Sequence, residues 1–222
     1  MKAVNIKMNQ DGMRVITVAQ KTIDSDTIRI SDENNLTILG FIGFLDPAKE
    51  SAITAISSLH AHGVTVKVLT GDNAIVAQKV CADVGIDAEH YLLGCDIDGM
   101  SDAELTEQAE NLHLFAKLNP MQKERVISLL KKKGHTVGFM GDGINDAPSL
   151  RTADVGISVD TAADITKDAS TIILLEKSLQ VLEIGVQEGR SVFINMIKYI
   201  KITLSSNFGN VFSILIASAF LP

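Results

Sequence analysis

Thr70-Gly71-Asp72, Asn119-Pro120-Met121-Gln122-Lys123 and Gly141-Asp142-Gly143-Ile144-Asn145-Asp146 are the parts of this chain whose residue types could do chemistry. Each follows a short apolar run that reads as a strand, and in a parallel sheet the C-terminal ends of strands gather at one edge, where ligand sites form. Thr70 offers a hydroxyl and Gly71 a close backbone N–H, both suited to phosphoryl oxygens arriving near a helix N-terminus. Lys123 is a compact cation able to neutralise the same oxygens. Asp142 and Asp146, separated by a tight glycine-containing turn, supply the hard oxygen ligands that Mg²⁺ requires, and Asn145 could bond a phosphoryl oxygen or orient the loop. Each signal also has a plainer reading. Thr-Gly-Asp is commonly a strand-to-helix turn with Asp72 as the cap, and a lysine near a helix start is commonly solvated. The glycine-flanked aspartates are the sharpest of the three, and the order of all three strengthens the joint reading.

The elements that must position these residues alternate in type. From about Leu39 short apolar runs alternate with helical patterns, the sequence form of a parallel sheet covered by helices. Strands are expected over Ile38 to Leu45, Val64 to Leu69, Leu114 to Ala116, Thr136 to Met140, Val155 to Val159 and Thr171 to Leu175. Asp46-Pro47 predicts a cap with proline in the first turn, followed by a helix with Ala52, Ile53, Ile56 and Leu59 on one stripe and Gly63 at its end. A second helix carries Ala74, Ala77, Cys81 and Val84 on one face. Ser101 and Glu104 have capping-box spacing, as do Asn119 and Gln122, and Lys131-Lys132-Lys133-Gly134 closes the helix that Lys123 begins. From Leu179 the pattern is helical and runs on toward the tail. Residues 1–38 fit less well: Val15 to Ala19 and Thr27 to Ile30 could be strands but complete no unit, so they read as the trailing edge of another domain.

Bulk properties exclude several classes. Lys plus Arg number 20 against 27 Asp plus Glu, a net charge of -7, so there is no broad basic surface for nucleic acid. Residues 202–222 contain no ionisable side chain, and about 20 such residues are long enough to cross a bilayer as a helix. Lys198 and Lys201 suit its cytoplasmic end. A buried terminal helix is the alternative, kept open by Ser205, Ser206, Asn207 and Asn210. Cys81 and Cys95 lie in no CxxC or Cys/His cluster and read as small buried hydrophobes, and the five histidines have no ligand spacing. No GxxxxGK[ST], no helix-opening GxGxxG and no GxSxG occurs, against P-loop nucleotidases, dinucleotide-binding folds and common serine hydrolases.

TGDN at 70–73, FAKLNPMQKERVI at 115–127 and GDGINDAPSLRTADVGISV at 141–159 resemble the phosphorylation domain of P-type cation-transporting ATPases. LDPAK at 45–49 resembles that family's DPPR-type hinge, with Ala48 replacing the second proline, and DGMRVITVA at 11–19 resembles the closing segment of its nucleotide-binding domain. KYIKITLSSNFGNVFSILIASAFLP at 198–222 is similar to the fifth transmembrane helix of the bacterial magnesium-transporting branch. The resemblance implies an α/β fold, a haloacid dehalogenase-like (Rossmann-like) parallel sheet with flanking helices, followed by a membrane helix. It implies four parts: 1–38 trailing the nucleotide-binding domain, 39–178 from the phosphorylation domain, 179–201 a linking helix, and 202–222 the start of a transmembrane helix.

The resemblance also implies an activity. ATP is the substrate and Mg²⁺ the cofactor, the partners are the transported divalent cation (Mg²⁺), the lipid bilayer and the remainder of the pump, and the place is the bacterial inner membrane, with residues 1–201 cytoplasmic. Thr70, Gly71, Asp72, Lys123 and Asn145 would serve phosphoryl transfer, Thr70, Gly71, Lys123 and Asn145 would hold the phosphoryl group, and Asp142 and Asp146 would serve the metal. In the family the nucleophile is the aspartate of a DKTG motif, absent from this sequence, so the chain by itself is expected to be inactive and its sheet incomplete. Two other classes share features of this chain. A haloacid dehalogenase-like phosphatase would carry the same three motifs but would not need the apolar tail, and a non-catalytic membrane-associated regulator would account for the missing aspartate.

Overall fold

A computed structural model describes residues 2–23, 27, 29–45 and 47–220. In chain order the elements are α1 (Lys2–Gln10), β1 (Met13–Gln20), β2 (Thr37–Leu45), α2 (Glu50–Ala61), β3 (Val68–Leu69), α3 (Ala74–Asp83), β4 (Tyr91–Leu93), α4 (Gly94–Gly99), α5 (Asp102–Asn111), β5 (Leu114–Ala116), α6 (Pro120–Lys132), β6 (Gly138–Met140), α7 (Ala147–Thr152), β7 (Val155–Val159), α8 (Asp164–Asp168), β8 (Ile172–Leu174) and α9 (Leu179–Phe220). The expected alternation is present from β3 onward, and the parallel pairing with it.

The strands form not one sheet but three groups: antiparallel β1-β2, and two three-stranded parallel sheets ordered β3-β5-β4 and β6-β7-β8. Two expectations are corrected by this. The strand at Thr37–Leu45 pairs antiparallel with Met13–Gln20 and takes no part in the parallel sheets. The parallel sheet is divided, with β3 and β6 each at the end of its own sheet, so two of the motif-bearing strands are edge strands.

Local chemistry explains most boundaries. Asn119 accepts from the Gln122 N–H at 2.9 Å and Gln122 Oε1 accepts from the Asn119 N–H at 2.9 Å, the reciprocal cap expected at the start of α6. Ser101 and Glu104 make the same arrangement for α5. Lys133 ends α6, and Gly134 turns the chain with φ +103°, a conformation that a side chain resists. By contrast, α2 starts at Glu50 with an extended Lys49 before it, so Pro47 precedes the helix rather than sitting in its first turn. Asp46, expected as its cap, lies outside the described residues, as does Ile28 of the strand expected over 27–30. Ile30 opens a short 3-10 turn there. The buried face of α2 is Ala55, Ile56 and Leu59, while Ile53 is 43% exposed, so the expected stripe rotates by one position.

The largest apolar cluster lies between α5, α6 and the β3-β5-β4 sheet, around Phe115, Leu105, Ile97 and Val126, all fully buried. Ile56, Cys81 and Leu114 form a second cluster on the opposite side of β5, where successive residues point to opposite faces. Ile157, Val159 and Leu174 make a third, on the β6-β7-β8 sheet. Leu179 packs against the second cluster and Val181 and Leu182 against the third, so the first turn of α9 touches both sheets. Cys81 is buried as expected; Cys95 is exposed, which corrects that half of the expectation.

Candidate active site

The ladder of β3 with β5 is extended by Thr70, whose N–H donates to the Phe115 carbonyl at 2.9 Å. The chain then turns tightly: the Asp72 N–H donates to Thr70 Oγ1 at 3.0 Å. This turn lies on the two residues that lead into the second polar segment, because the Lys117 N–H donates to the Asp72 carbonyl and the Leu118 N–H to the Thr70 carbonyl, each at 3.0 Å. A side chain at Gly71 would bring its Cβ to 3.4 Å from the Leu118 carbonyl, a close fit between the two segments. Lys117 bends the chain out of β5 with φ +54°, a left-handed conformation unusual for lysine, of the strained kind that clusters at functional sites. Asn73 rather than Asp72 caps α3, accepting from the Ile75 N–H at 3.0 Å. The Asp72 carboxylate instead takes Arg14 Nη2 at 2.6 Å, from β1.

Lys123 lies in the second turn of α6, and its Nζ reaches Asp146 Oδ1 at 2.8 Å with both side chains only 14% exposed. That ion pair joins the second segment to the third. Taken together with the Thr70–Leu118 and Asp72–Lys117 hydrogen bonds, it connects the three polar segments by way of the residues leading into α6.

The third segment is built around glycine. The Gly141 N–H extends the β6-β7 ladder to the Ile157 carbonyl at 3.1 Å, and a Cβ at Gly141 would fall 2.7 Å from Asp146 Cβ, closer than side-chain atoms tolerate. Ile144–Asp146 form one 3-10 turn that carries Asp146 back over Gly141, and the Gly143 N–H donates to Asp146 Oδ2 at 3.3 Å. Thr166 of α8, fully buried, donates its hydroxyl to the Gly143 carbonyl at 3.1 Å and so fixes the loop from beneath. Asp142 is about half exposed and receives Lys177 Nζ at 2.6 Å, and Asn145 is exposed on the turn.

The donor chemistry fits a hard divalent cation in part. Two carboxylates approach the Gly141–Asp146 loop, and Mg²⁺ is commonly held by one or two carboxylates together with water and substrate oxygens. Among the described residues no group of three or more His, Cys, Asp or Glu could enclose a metal. Asp142 and Asp146 by themselves would make only part of a coordination shell, and both carry lysine partners.

Of the residues singled out from sequence, Thr70, Gly71 and Asp72 lie against Lys117 and Leu118, Lys123 meets Asp146, and Asp142 and Asn145 stand on the same loop as Asp146. Sequence reasoning missed Arg14, Thr166 and Lys177, which lie 58, 23 and 35 positions from the residues they contact. Lone polar residues at such distances carry no periodic or spacing signal. The left-handed Lys117 was equally silent, since glycine or asparagine would be the usual mark of such a bend.

Parallel strands that end in the Thr70 turn and the Gly141–Asp146 loop, covered by helices, define an α/β domain of the haloacid dehalogenase-like class. Residues 7–154 match the haloacid dehalogenase-like hydrolases, and the chain belongs to that family. Among curated proteins it is 58% identical, over its whole length and 25% of theirs, to magnesium-transporting ATPase, P-type 1, of Escherichia coli K12. It is 56% identical to a Salmonella typhimurium LT2 protein described in the same words, over 96% of this chain and 24% of that protein. The chain thus spans about a quarter of the length of these relatives. A crystal structure of a zinc-transporting PIB-type ATPase in its E2.Pi state superposes on 97% of this chain and 29% of its own, with a TM-score of 0.69 and 24% identity, which shows the shared fold. The long apolar α9 fits a transmembrane helix.

Proposed function

We propose that this chain supplies the phosphate-positioning and Mg²⁺-binding half of the catalytic site of an ATP-driven magnesium transporter of the bacterial inner membrane, one that works through an aspartyl phosphate. The observation that carries this reading is the part-buried Lys123–Asp146 pair, which puts a cation able to meet phosphoryl oxygens beside a carboxylate of the Gly141–Asp146 loop. In the proposed site Thr70 and Gly71 bind the phosphoryl group through hydroxyl and backbone N–H. Lys123 neutralises the charge that develops on its oxygens, a fixed positive group costing no reorganisation as the reaction proceeds. Asn145 completes the loop, and Asp72, held by Arg14, positions the Thr70 turn. Asp142 and Asp146 would hold Mg²⁺, which supplies charge neutralisation on the transferring group.

The nucleophilic carboxylate comes, on this reading, from the remainder of the pump. β3 and β6 carry the Thr70 turn and the Asp142 loop at their C-terminal ends, and each is the outer strand of its sheet. A single parallel strand paired with both would join the sheets and deliver an aspartate between the two motifs. The domain reading follows: 1–38 closing a nucleotide-binding domain, 39–178 the phosphorylation domain, 179–201 a cytoplasmic link, and 202–222 entering the bilayer. ATP, the transported Mg²⁺ and the other membrane helices are the partners.

The test is phosphoenzyme formation from γ-³²P-labelled ATP in the pump containing this segment. The expected product is a Mg²⁺-dependent label removed by hydroxylamine, as an acyl phosphate is. Lys123→Met should lower the labelling rate by about 10²- to 10³-fold, the usual effect of removing one preorganised donor from developing charge. A hydroxylamine-stable label, or wild-type labelling in Lys123→Met, would refute the proposal.

A further inference from the structure

Among the site's charged groups Lys177 has no place in the chemistry proposed above, yet its Nζ lies 2.6 Å from Asp142 Oδ2. It stands in the short connection between β8 and α9, and its carbonyl accepts from Lys49 Nζ, just before α2, at 3.2 Å. Ser178, the next residue, accepts the Gln180 N–H on its hydroxyl at 3.2 Å and so starts α9. Leu179, Val181 and Leu182 then pack on the cores of both parallel sheets. One lysine thus touches the Gly141–Asp146 loop through its side chain and the start of α2 through its carbonyl, and the residue after it caps the long helix.

The two site aspartates differ in how firmly they are held. Asp146 is fixed by the part-buried Lys123 and by the Gly143 N–H. Among the described residues the Asp142 carboxylate is held by Lys177, and that pair is 60% and 53% exposed. A divalent cation arriving at either aspartate is repelled by that aspartate's lysine, and of the two ion pairs the solvent-open Lys177–Asp142 costs less to break than Lys123–Asp146, whose side chains are each 14% exposed.

We propose that Lys177 is a metal-responsive positioning residue: its ammonium neutralises Asp142 until a divalent cation takes that carboxylate, and its release loosens the junction at residues 175–182 from which α9 starts. The proposal rests on Asp142 being a metal ligand, as read above. It makes occupancy of the metal loop felt at the base of the helix without any contact between metal and helix.

The experiment titrates Mn²⁺ into the full chain in detergent micelles, following free Mn²⁺ by electron paramagnetic resonance. Hydrogen exchange across residues 175–182 is then measured with and without Mg²⁺. Lys177→Met should bind Mn²⁺ more tightly than wild type by up to about fivefold, the ceiling for losing an exposed ion pair. Lys177→Arg should restore the wild-type affinity, and Asp142→Asn should abolish binding. Exchange at the junction should quicken with Mg²⁺ in wild type and should already be fast in Lys177→Met without metal. Lys177→Met binding no tighter than wild type, or a junction indifferent to Mg²⁺ while Mn²⁺ binds, overturns the role of Lys177 alone. Absence of Mn²⁺ binding to both wild type and Lys177→Met would remove the metal reading of Asp142 and this proposal with it.

Discussion

Gly141 shows how narrow the chemistry of a single position is. Its missing side chain lets Asp146 fold back to within reach of Lys123, and Gly141→Ala would place a methyl 2.7 Å from Asp146 Cβ. The substitution should cost about 1–3 kcal/mol, the usual range for overpacking, and should weaken Mn²⁺ binding; urea unfolding and metal titration check the two effects. Lys117 is the opposite case, a side chain where glycine fits better. Lys117→Gly should stabilise the chain by up to about 1 kcal/mol, since the left-handed conformation costs a non-glycine residue about that much, and the urea midpoint reads it. The thiols separate just as sharply. Burial pushes Cys81 up to about 11, whereas Cys95 is exposed, so maleimide at pH 8 should label Cys95 in the native chain and reach Cys81 only after unfolding, as peptide mass spectrometry would show.

At the scale of elements, α6 is tied to its surroundings by charges near both ends. Lys123 holds the Gly141–Asp146 loop through Asp146, while Lys131 donates to the Thr152 carbonyl at 2.5 Å and pairs with Asp154 at 3.2 Å. Asp154 also accepts the Val137 N–H, which with Lys131 holds its carboxyl below the ordinary 3.8. Glu110 is held below 4.5 by the His135 hydrogen bond and then by Lys133, and Glu104 by its Ser101 hydrogen bonds. All three shifts are downward. Their contribution to stability is therefore fully present above about pH 4.5 and is lost as pH falls through the depressed values. Urea midpoints of the wild type should fall below that pH, and Asp154→Asn with Glu110→Gln should flatten the acid limb.

For the whole molecule, α9 is the dominant feature. Its 42 residues extend about 63 Å at 1.5 Å per residue, about twice the hydrocarbon thickness of a bilayer. The first turns dock on α2, where Glu183 accepts from Ser58 at 2.6 Å and Arg190 donates to the His62 carbonyl at 2.5 Å. Beyond Lys201 the described side chains are all exposed, Phe208, Phe212, Ile214 and Ile216 among them. The full chain should float with liposomes in a density gradient, whereas a version ending at Lys201 should stay in the aqueous fraction. Flotation of the shortened version would move the membrane contact elsewhere.

What the sequence by itself determined is local. The capping boxes at Ser101 and Asn119, the glycine ends at Gly63 and Gly134, the strands at Leu114–Ala116 and Val155–Val159, and the uncharged tail all follow from chemistry within a few residues. The three polar segments were legible for the same reason, each being a short run of fitting residue types after an apolar strand. Tertiary structure alone decided the pairing of β2 with β1, the separation of the parallel strands into two sheets, and the partners Arg14–Asp72 and Lys177–Asp142. A two-residue strand such as Val68–Leu69 carries no periodicity of its own, so its neighbours are fixed only by which backbone edges can reach one another. Long charged side chains likewise find partners by distance in space, which their position along the chain does not encode.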